Sequence, residues 1–175
     1  IGAVKLMEFI LRTSFDMNDM NTKYVFRRTA WHEACRYGRT ETAQLLIQSS
    51  RDYGIDLNAK DDEGSTAWHF ACSYGQTETA QLLIQSSKDF GIDLNAKNNY
   101  GNTALHWACQ FGRTETVQMI LKNWKEFGID IKAQNNQGQT ALDLINHHQD
   151  GKWNQIKEML EEEFSQIDVT ESVEN

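Results

Sequence analysis

Apolar and polar positions along this chain alternate in one pattern that returns unit after unit. In residues 103–138, Ala104, Leu105, Ala108 and Cys109 stand at the spacing of one helical face. Thr103 stands where that short helix would start. Gly112 stands where it would stop, because a residue able to take positive φ ends a helix at little cost. Thr114 is placed to cap a second helix, with Glu115 in its first turn near the positive end of the dipole. Val117, Met119, Ile120 and Leu121 supply the apolar face of that helix. Gly128-Ile129-Asp130 then leads into a polar stretch ending Asn135-Asn136-Gln137-Gly138, a turn signal. Each unit reads as helix, turn, helix, hairpin loop.

The pattern has a period of 37 residues. Thr29-Ala30-Trp31-His32, Thr66-Ala67-Trp68-His69, Thr103-Ala104-Leu105-His106 and Thr140-Ala141-Leu142-Asp143 fall on it, as do Gly38, Gly75 and Gly112. So do Gly54, Gly91 and Gly128, and Gly64, Gly101 and Gly138. Segments 40–60 and 77–97 agree at 19 of 21 positions, differing only at Arg51/Lys88 and Tyr53/Phe90. Similarity so high implies recent duplication of one unit or design to a consensus. Two short helices cannot bury their apolar faces alone, so the units must stack into a solenoid.

On these residues the chain resembles the ankyrin-repeat proteins. The family's Thr-Pro-Leu-His-x-Ala signature appears as Thr-Ala-Trp/Leu-His-x-Ala in three units. Its hairpin phrase Asp-x-Asn-Ala appears as Asp56-Leu57-Asn58-Ala59 and Asp93-Leu94-Asn95-Ala96, and the likeness covers roughly residues 4–163. It implies an all-α ankyrin-repeat solenoid of helix-turn-helix units with hairpin loops. The period exceeds the family's usual ~33 residues. The extra residues fall near the end of the second helix, in Ser49-Ser50-Arg51-Asp52 and its equivalents. They amount to about one helical turn, so a longer second helix is predicted. The family's proline is alanine in every unit, which removes a preset φ. Arg27 stands where Gly64, Gly101 and Gly138 stand later, which predicts an irregular first hairpin.

The expected organisation is one ankyrin-repeat domain over 1–163. It comprises a half repeat at 1–26, repeats at about 27–63, 64–100 and 101–137, and a capping repeat at 138–163. An acidic polar tail would follow over 164–175. Asp19-Met20-Asn21-Thr22-Lys23 aligns with Asp56-Leu57-Asn58-Ala59-Lys60, and Phe9-Ile10-Leu11 resembles Leu45-Leu46-Ile47. The chain is therefore expected to open in the second helix of an upstream repeat, with at least one further repeat before Ile1. Residues 153–163 read as a polar capping helix, and 165–175 are expected to fray.

Composition narrows the function. Of 175 residues, 17 are Lys or Arg and 25 Asp or Glu, a formal net charge of -8. That balance argues against binding a nucleic-acid backbone and against docking on an anionic membrane surface. No apolar run approaches the ~20 residues that span a bilayer. Apolar residues at 39% are enough for a packed core.

Reactive side chains are present, but their spacing assigns them to structure. His32, His69 and His106 occur once per unit, and packed helices lie roughly 10 Å apart. Imidazoles so spaced cannot share a metal whose bonds to nitrogen are about 2.0–2.1 Å. The resemblance gives this histidine a structural role, joining hairpin to helix. Cys35, Cys72 and Cys109 hold one equivalent position each, too far apart for disulfides that need Cα atoms within about 7 Å. They read as small buried residues of a reducing compartment, so a cytoplasmic or nuclear location is expected. His147-His148 would diverge by about 100° on a helix and make a poor chelate. No phosphate-binding loop, nucleophile elbow or HExxH occurs. No catalytic group, metal or cofactor is expected.

What remains is surface. The resemblance implies a concave groove built from hairpin tips and the exposed face of each first helix. On this chain the tips map to Tyr24/Val25/Phe26/Arg28, Asp62/Glu63/Ser65, Asn99/Tyr100/Asn102 and Asn136/Gln137/Gln139. The helices contribute Glu33/Arg36/Tyr37, Phe70/Ser73/Tyr74 and Trp107/Gln110/Phe111. Tyr37, Tyr74 and Phe111 form an aromatic column expected to face a partner, since Tyr, Trp and Arg most often anchor interfaces. Phe70 and Trp107, and the second column Tyr53/Phe90/Phe127, read as packing. Arg27, Arg28, Arg36 and Arg39 cluster at one end of the groove, and Asp61, Asp62 and Glu63 follow one unit on. A partner segment acidic at one end and polar or aromatic at the other would suit that pattern. Asn21, Asn58 and Asn95 match the family's asparaginyl-hydroxylation position, but the lengthened repeat shifts the required upstream leucine, leaving a hairpin asparagine. The expected function is a module binding a protein or peptide segment. The alternatives are a regulatory or scaffold segment contacting its own chain, and a small inhibitor masking a transcription factor.

Overall fold

The computed structural model describes residues 27–146, 148 and 151–173. Within them lie α1 (Ala30–Arg36), α2 (Thr40–Tyr53), α3 (Ala67–Ser73), α4 (Thr77–Phe90), α5 (Ala104–Gln110), α6 (Thr114–Phe127), α7 (Ala141–Ile145) and α8 (Gly151–Val173). The half repeat at 1–26, with Asn21, Tyr24, Val25 and Phe26, lies outside the described residues, as does His147. First helices α1, α3, α5 and α7 stack in sequence, and second helices α2, α4, α6 and α8 stack beside them. Among the described residues the fold is an all-α solenoid of stacked helix-turn-helix units.

Helices α1, α3 and α5 each start on a threonine bound to the histidine three residues later. Thr66 N–H donates to His69 Nδ1 at 3.1 Å, and the Thr66 hydroxyl lies 2.9 Å from the same nitrogen. With Nδ1 accepting, the ring proton sits on Nε2, which donates to the Asn102 carbonyl of the next repeat at 3.0 Å. His32 reaches Ser65 and His106 reaches Gln139 in the same way. One imidazole thus starts a helix and fastens the following hairpin. In the fourth unit Asp143 caps Thr140 but extends to no further repeat.

The second helices correct one expectation. Arg39, Gln76 and Arg113 are the N-cap residues, and Thr114 is the first residue inside its helix rather than its cap. The threonine hydroxyls work between repeats instead: Thr40 meets Thr79, and Thr77 meets Thr116, each at 2.9 Å. Gln76 and Arg113 reach back to the carbonyls of Arg36 and Ser73, 2.9 and 2.8 Å away. The extra turn is as predicted, since each of these helices has 14 residues. Gly54, Gly91 and Gly128 end them at φ 62, 68 and 64°. Tyr53, Phe90 and Phe127 pack against the core, half-buried.

The core runs unbroken through the repeats. Trp31 and Trp68 are buried, and their indole N–H groups donate to the carbonyls of Leu57 and Leu94 at 3.0 Å. Cys35, Cys72 and Cys109 are fully buried and free. Outside the core, the Asn58 amide donates to the Gly91 carbonyl at 2.7 Å and accepts from Asp93 N–H at 2.8 Å. Asn95 repeats both bonds with Gly128 and Asp130. Burying apolar area does not choose a register between repeats; these directional bonds do.

Arg27 takes the left-handed region at φ 56°, as the glycines at its place in later repeats do, while the rest of the first hairpin lies outside the described residues. Its guanidinium lies 3.6 Å from the Asp62 carboxylate. The segment expected to fray from residue 165 continues α8, which runs to Val173. Buried Ile156 and Leu160 are followed at helical spacing by Phe164 and Ile167, which also pack on the core. The apolar stripe therefore outlasts the polar composition that suggested a tail.

Candidate functional site

The hairpin tips are built alike. Asp61 Oδ1 accepts from the N–H groups of Glu63 and Ser65 at 2.9 and 2.8 Å. Asn98 does the same for Tyr100 and Asn102, and Asn135 for Gln137 and Gln139. Each side chain mimics a turn of backbone and fixes the loop. Successive tips are then joined, Asn99 N–H to the Glu63 carbonyl at 2.9 Å and Asn136 N–H to that of Tyr100 at 3.0 Å. The approach is close enough that a Cβ on Gly101 would stand 2.6 Å from the Asn136 nitrogen.

This framework engages several residues that the sequence proposed for binding. Asn99 donates its side-chain amide to the Asp62 carbonyl, and Asn102 accepts from the Asn135 amide. Their side chains are held by neighbouring tips. Glu63, Tyr100 and Gln137, which share one place in successive tips, are exposed, as is Gln110 on α5.

The charge division read from the sequence is not what forms. Arg28 lies 3.6 Å from Asp61 and 4.0 Å from Glu33, and its guanidinium rests 4.6 Å above the Phe70 ring. Arg36 is 3.6 Å from Glu33, and Arg27 pairs with Asp62. Basic and acidic groups stand opposite one another, Arg36 and Glu33 within α1 and Arg27 and Arg28 against the hairpin tip at 61–62, so their charges offset locally. A separate basic end and acidic end cannot be read from the one-dimensional order. Glu63 takes part in none of the ion pairs among the described residues.

Tyr37 and Tyr74 flank Arg36, and Tyr74 and Phe111 line one concavity. Tyr37, Tyr74 and Phe111 are 57, 43 and 44% exposed. Phe70 is buried and Trp107 half-buried, the latter stacked on Phe111 at 5.4 Å between ring centroids. What the sequence did not reveal is that packing and exposed residues share a pocket. Arg28, Glu63, Phe70, Ser73, Tyr74, Trp107 and Phe111 line a concavity of about 160 Å³. The Trp107 indole N–H is buried without a hydrogen-bond partner among the described residues. A signal was available: Phe70 and Trp107 occupy the position of charged Glu33 in the first repeat. A pocket this small is below the ~300–1,000 Å³ usual for cofactors and drug-sized ligands.

The buried histidines and thiols of the repeats follow burial. Desolvation lowers the histidine pKa values, to about 4 for His69, against the opposing pull of the Asn102 carbonyl. It raises those of the three thiols, so none is poised as a thiolate nucleophile. Among the described residues no group of three His, Cys, Asp or Glu could hold a metal ion.

A model of ankyrin repeats in three copies matches residues 2–98, 53–135 and 90–151. The chain belongs to the ankyrin-repeat family. Ankyrin repeats generally mediate protein–protein interaction and are generally non-enzymatic binding modules. No curated protein matches the chain. None of the described helices is long and apolar enough to cross a membrane.

Proposed function

We propose that this ankyrin-repeat chain binds a partner protein through the groove formed by its hairpin tips and first helices. One observation carries the reading. The exposed large hydrophobic side chains among the described residues are Tyr37, Tyr74, Tyr100 and Phe111, and all four lie on that face. An aromatic cluster left in water is costly unless something covers it. The hydrogen-bonded tips hold the groove preformed, so binding loses little ordering entropy. Three buried free cysteines favour a reducing compartment, cytoplasmic or nuclear.

The test is a quantitative pull-down from the source lysate, using the chain and a Tyr37→Ala/Tyr74→Ala/Phe111→Ala variant of equal helicity. A protein captured by the first and lost by the second supports the groove. Capture unchanged in the variant sinks it.

A further inference from the structure

The groove already contains one complete cation site, made within the chain. The Arg36 guanidinium lies over the rings of both Tyr37 and Tyr74, 5.2 and 5.0 Å from their centroids. The Glu33 carboxylate completes it at 3.6 Å. Two aromatic faces and one carboxylate around a guanidinium combine cation–π and ionic attraction.

One repeat further on, the same place is present without its cation. Tyr74 and Phe111 repeat the Tyr37–Tyr74 pair, but Ser73 stands where Arg36 stood. The Ser73 hydroxyl turns back to the Phe70 carbonyl of its own helix at 3.2 Å. The space left is the pocket of about 160 Å³, with Phe70 and Trp107 as additional walls. Phe70 also replaces the helix carboxylate, Glu33, but Glu63 from the hairpin tip stands on the pocket wall with no ion pair among the described residues.

We propose that the Tyr74–Phe111 pocket receives an arginine side chain of the bound partner, the intermolecular counterpart of Arg36. This deepens the groove reading and rests on it. Arg28, the cation on the pocket wall, is offset by Asp61 and Glu33 and already lies against Phe70. Arg113 is tied by its Nε to the Ser73 carbonyl at 2.8 Å. With these held, Glu63 is the carboxylate left to meet an incoming charge. The formal net charge of -8 draws a basic segment toward the whole molecule.

The test is an NMR titration of the full chain, following the Trp107 indole N–H and the Tyr74 ring. The probes are acetyl-Gly-Arg-Gly-amide and its citrulline, norleucine and glutamate analogues at fixed ionic strength. Citrulline keeps the shape of arginine without its charge. The arginine peptide is expected to bind about fivefold more tightly than citrulline or norleucine, the contribution of an exposed cation–π contact. Glu63→Gln should weaken it by a similar factor, and Ser73→Arg, which restores the internal cation, should abolish it with helicity unchanged. Equal binding of citrulline or norleucine, preference for glutamate, full binding to Ser73→Arg, or no titration by arginine would each overturn the assignment. The pull-down separates this result from the larger reading. Groove-dependent capture alongside a failed arginine titration removes the arginine site alone, whereas capture indifferent to the aromatic column removes the groove.

Discussion

His69 and Asn102 are joined across a repeat boundary by a 3.0 Å hydrogen bond from imidazole Nε2 to carbonyl oxygen. The other ring nitrogen accepts from Thr66 N–H, so the neutral imidazole is the form the fold requires. Burial holds its pKa near 4, below the unfolded value of 6.5. Between those values the unfolded chain binds a proton that the folded chain does not, so stability falls as pH falls from 6.5 toward 4. The loss from His69 alone is about 3 kcal/mol, and His32 and His106 act in the same direction. Urea unfolding at pH 7 and pH 4.5 should show this decline. A His69→Gln variant, already weaker at pH 7, should show less of it. An equal decline in both would place the acid sensitivity elsewhere.

The tip contacts make one glycine much less replaceable than another. Gly101 and Gly91 both have positive φ, 77 and 68°. A Cβ on Gly101 meets the Asn136 backbone nitrogen at 2.6 Å, whereas one on Gly91 meets nothing within 4 Å. Gly91→Ala should cost about 1 kcal/mol, the left-handed penalty alone. Gly101→Ala should cost at least twice as much, because the joined tips must separate. Similar urea midpoints for the two variants would show that the tips yield freely.

Trp68 should be sensitive through its nitrogen as well as its volume. Trp68→Phe keeps an aromatic ring but leaves the Leu94 carbonyl without the indole donor. The expected loss is about 1–3 kcal/mol, the cost of an unsatisfied buried polar group. Denaturant unfolding should move to lower midpoint with unchanged slope. A midpoint within error of the parent would mean that water replaces the indole.

The three cysteines report opening of the stack. All are fully buried with raised pKa values, so an aromatic disulfide reagent should label none in the native chain and all in urea. Rapid native labelling of Cys72 would contradict the packing described for the central repeats.

Much of the fold is legible in the sequence because a repeat writes each structural requirement several times. Thr66, His69 and Gly75 are informative once Thr103, His106 and Gly112 stand at the same interval. The groove is less legible because it depends on relations between repeats. Arg28 and Asp61 are 33 positions apart in the chain, yet lie 3.6 Å apart, and this contact cancels the charge division that linear order suggests. Thr114 resembles a cap by residue type, but the Gly112 turn places Arg113 at that position. The end of α8 was obscured because its acidic residues dominate the composition, while Phe164 and Ile167 supply the packing.

The Asn58 and Asn95 bridges have a consequence for the length of the molecule. Each joins a repeat to the next through the same atoms, so a second copy of residues 64–100 placed after the first would find every bonding partner in register. The insertion would also copy Ser73 and Tyr74, and with them the proposed arginine pocket, one repeat apart. A partner with two correspondingly spaced side chains would then bind bivalently, and its affinity would rise through effective concentration without any new kind of contact.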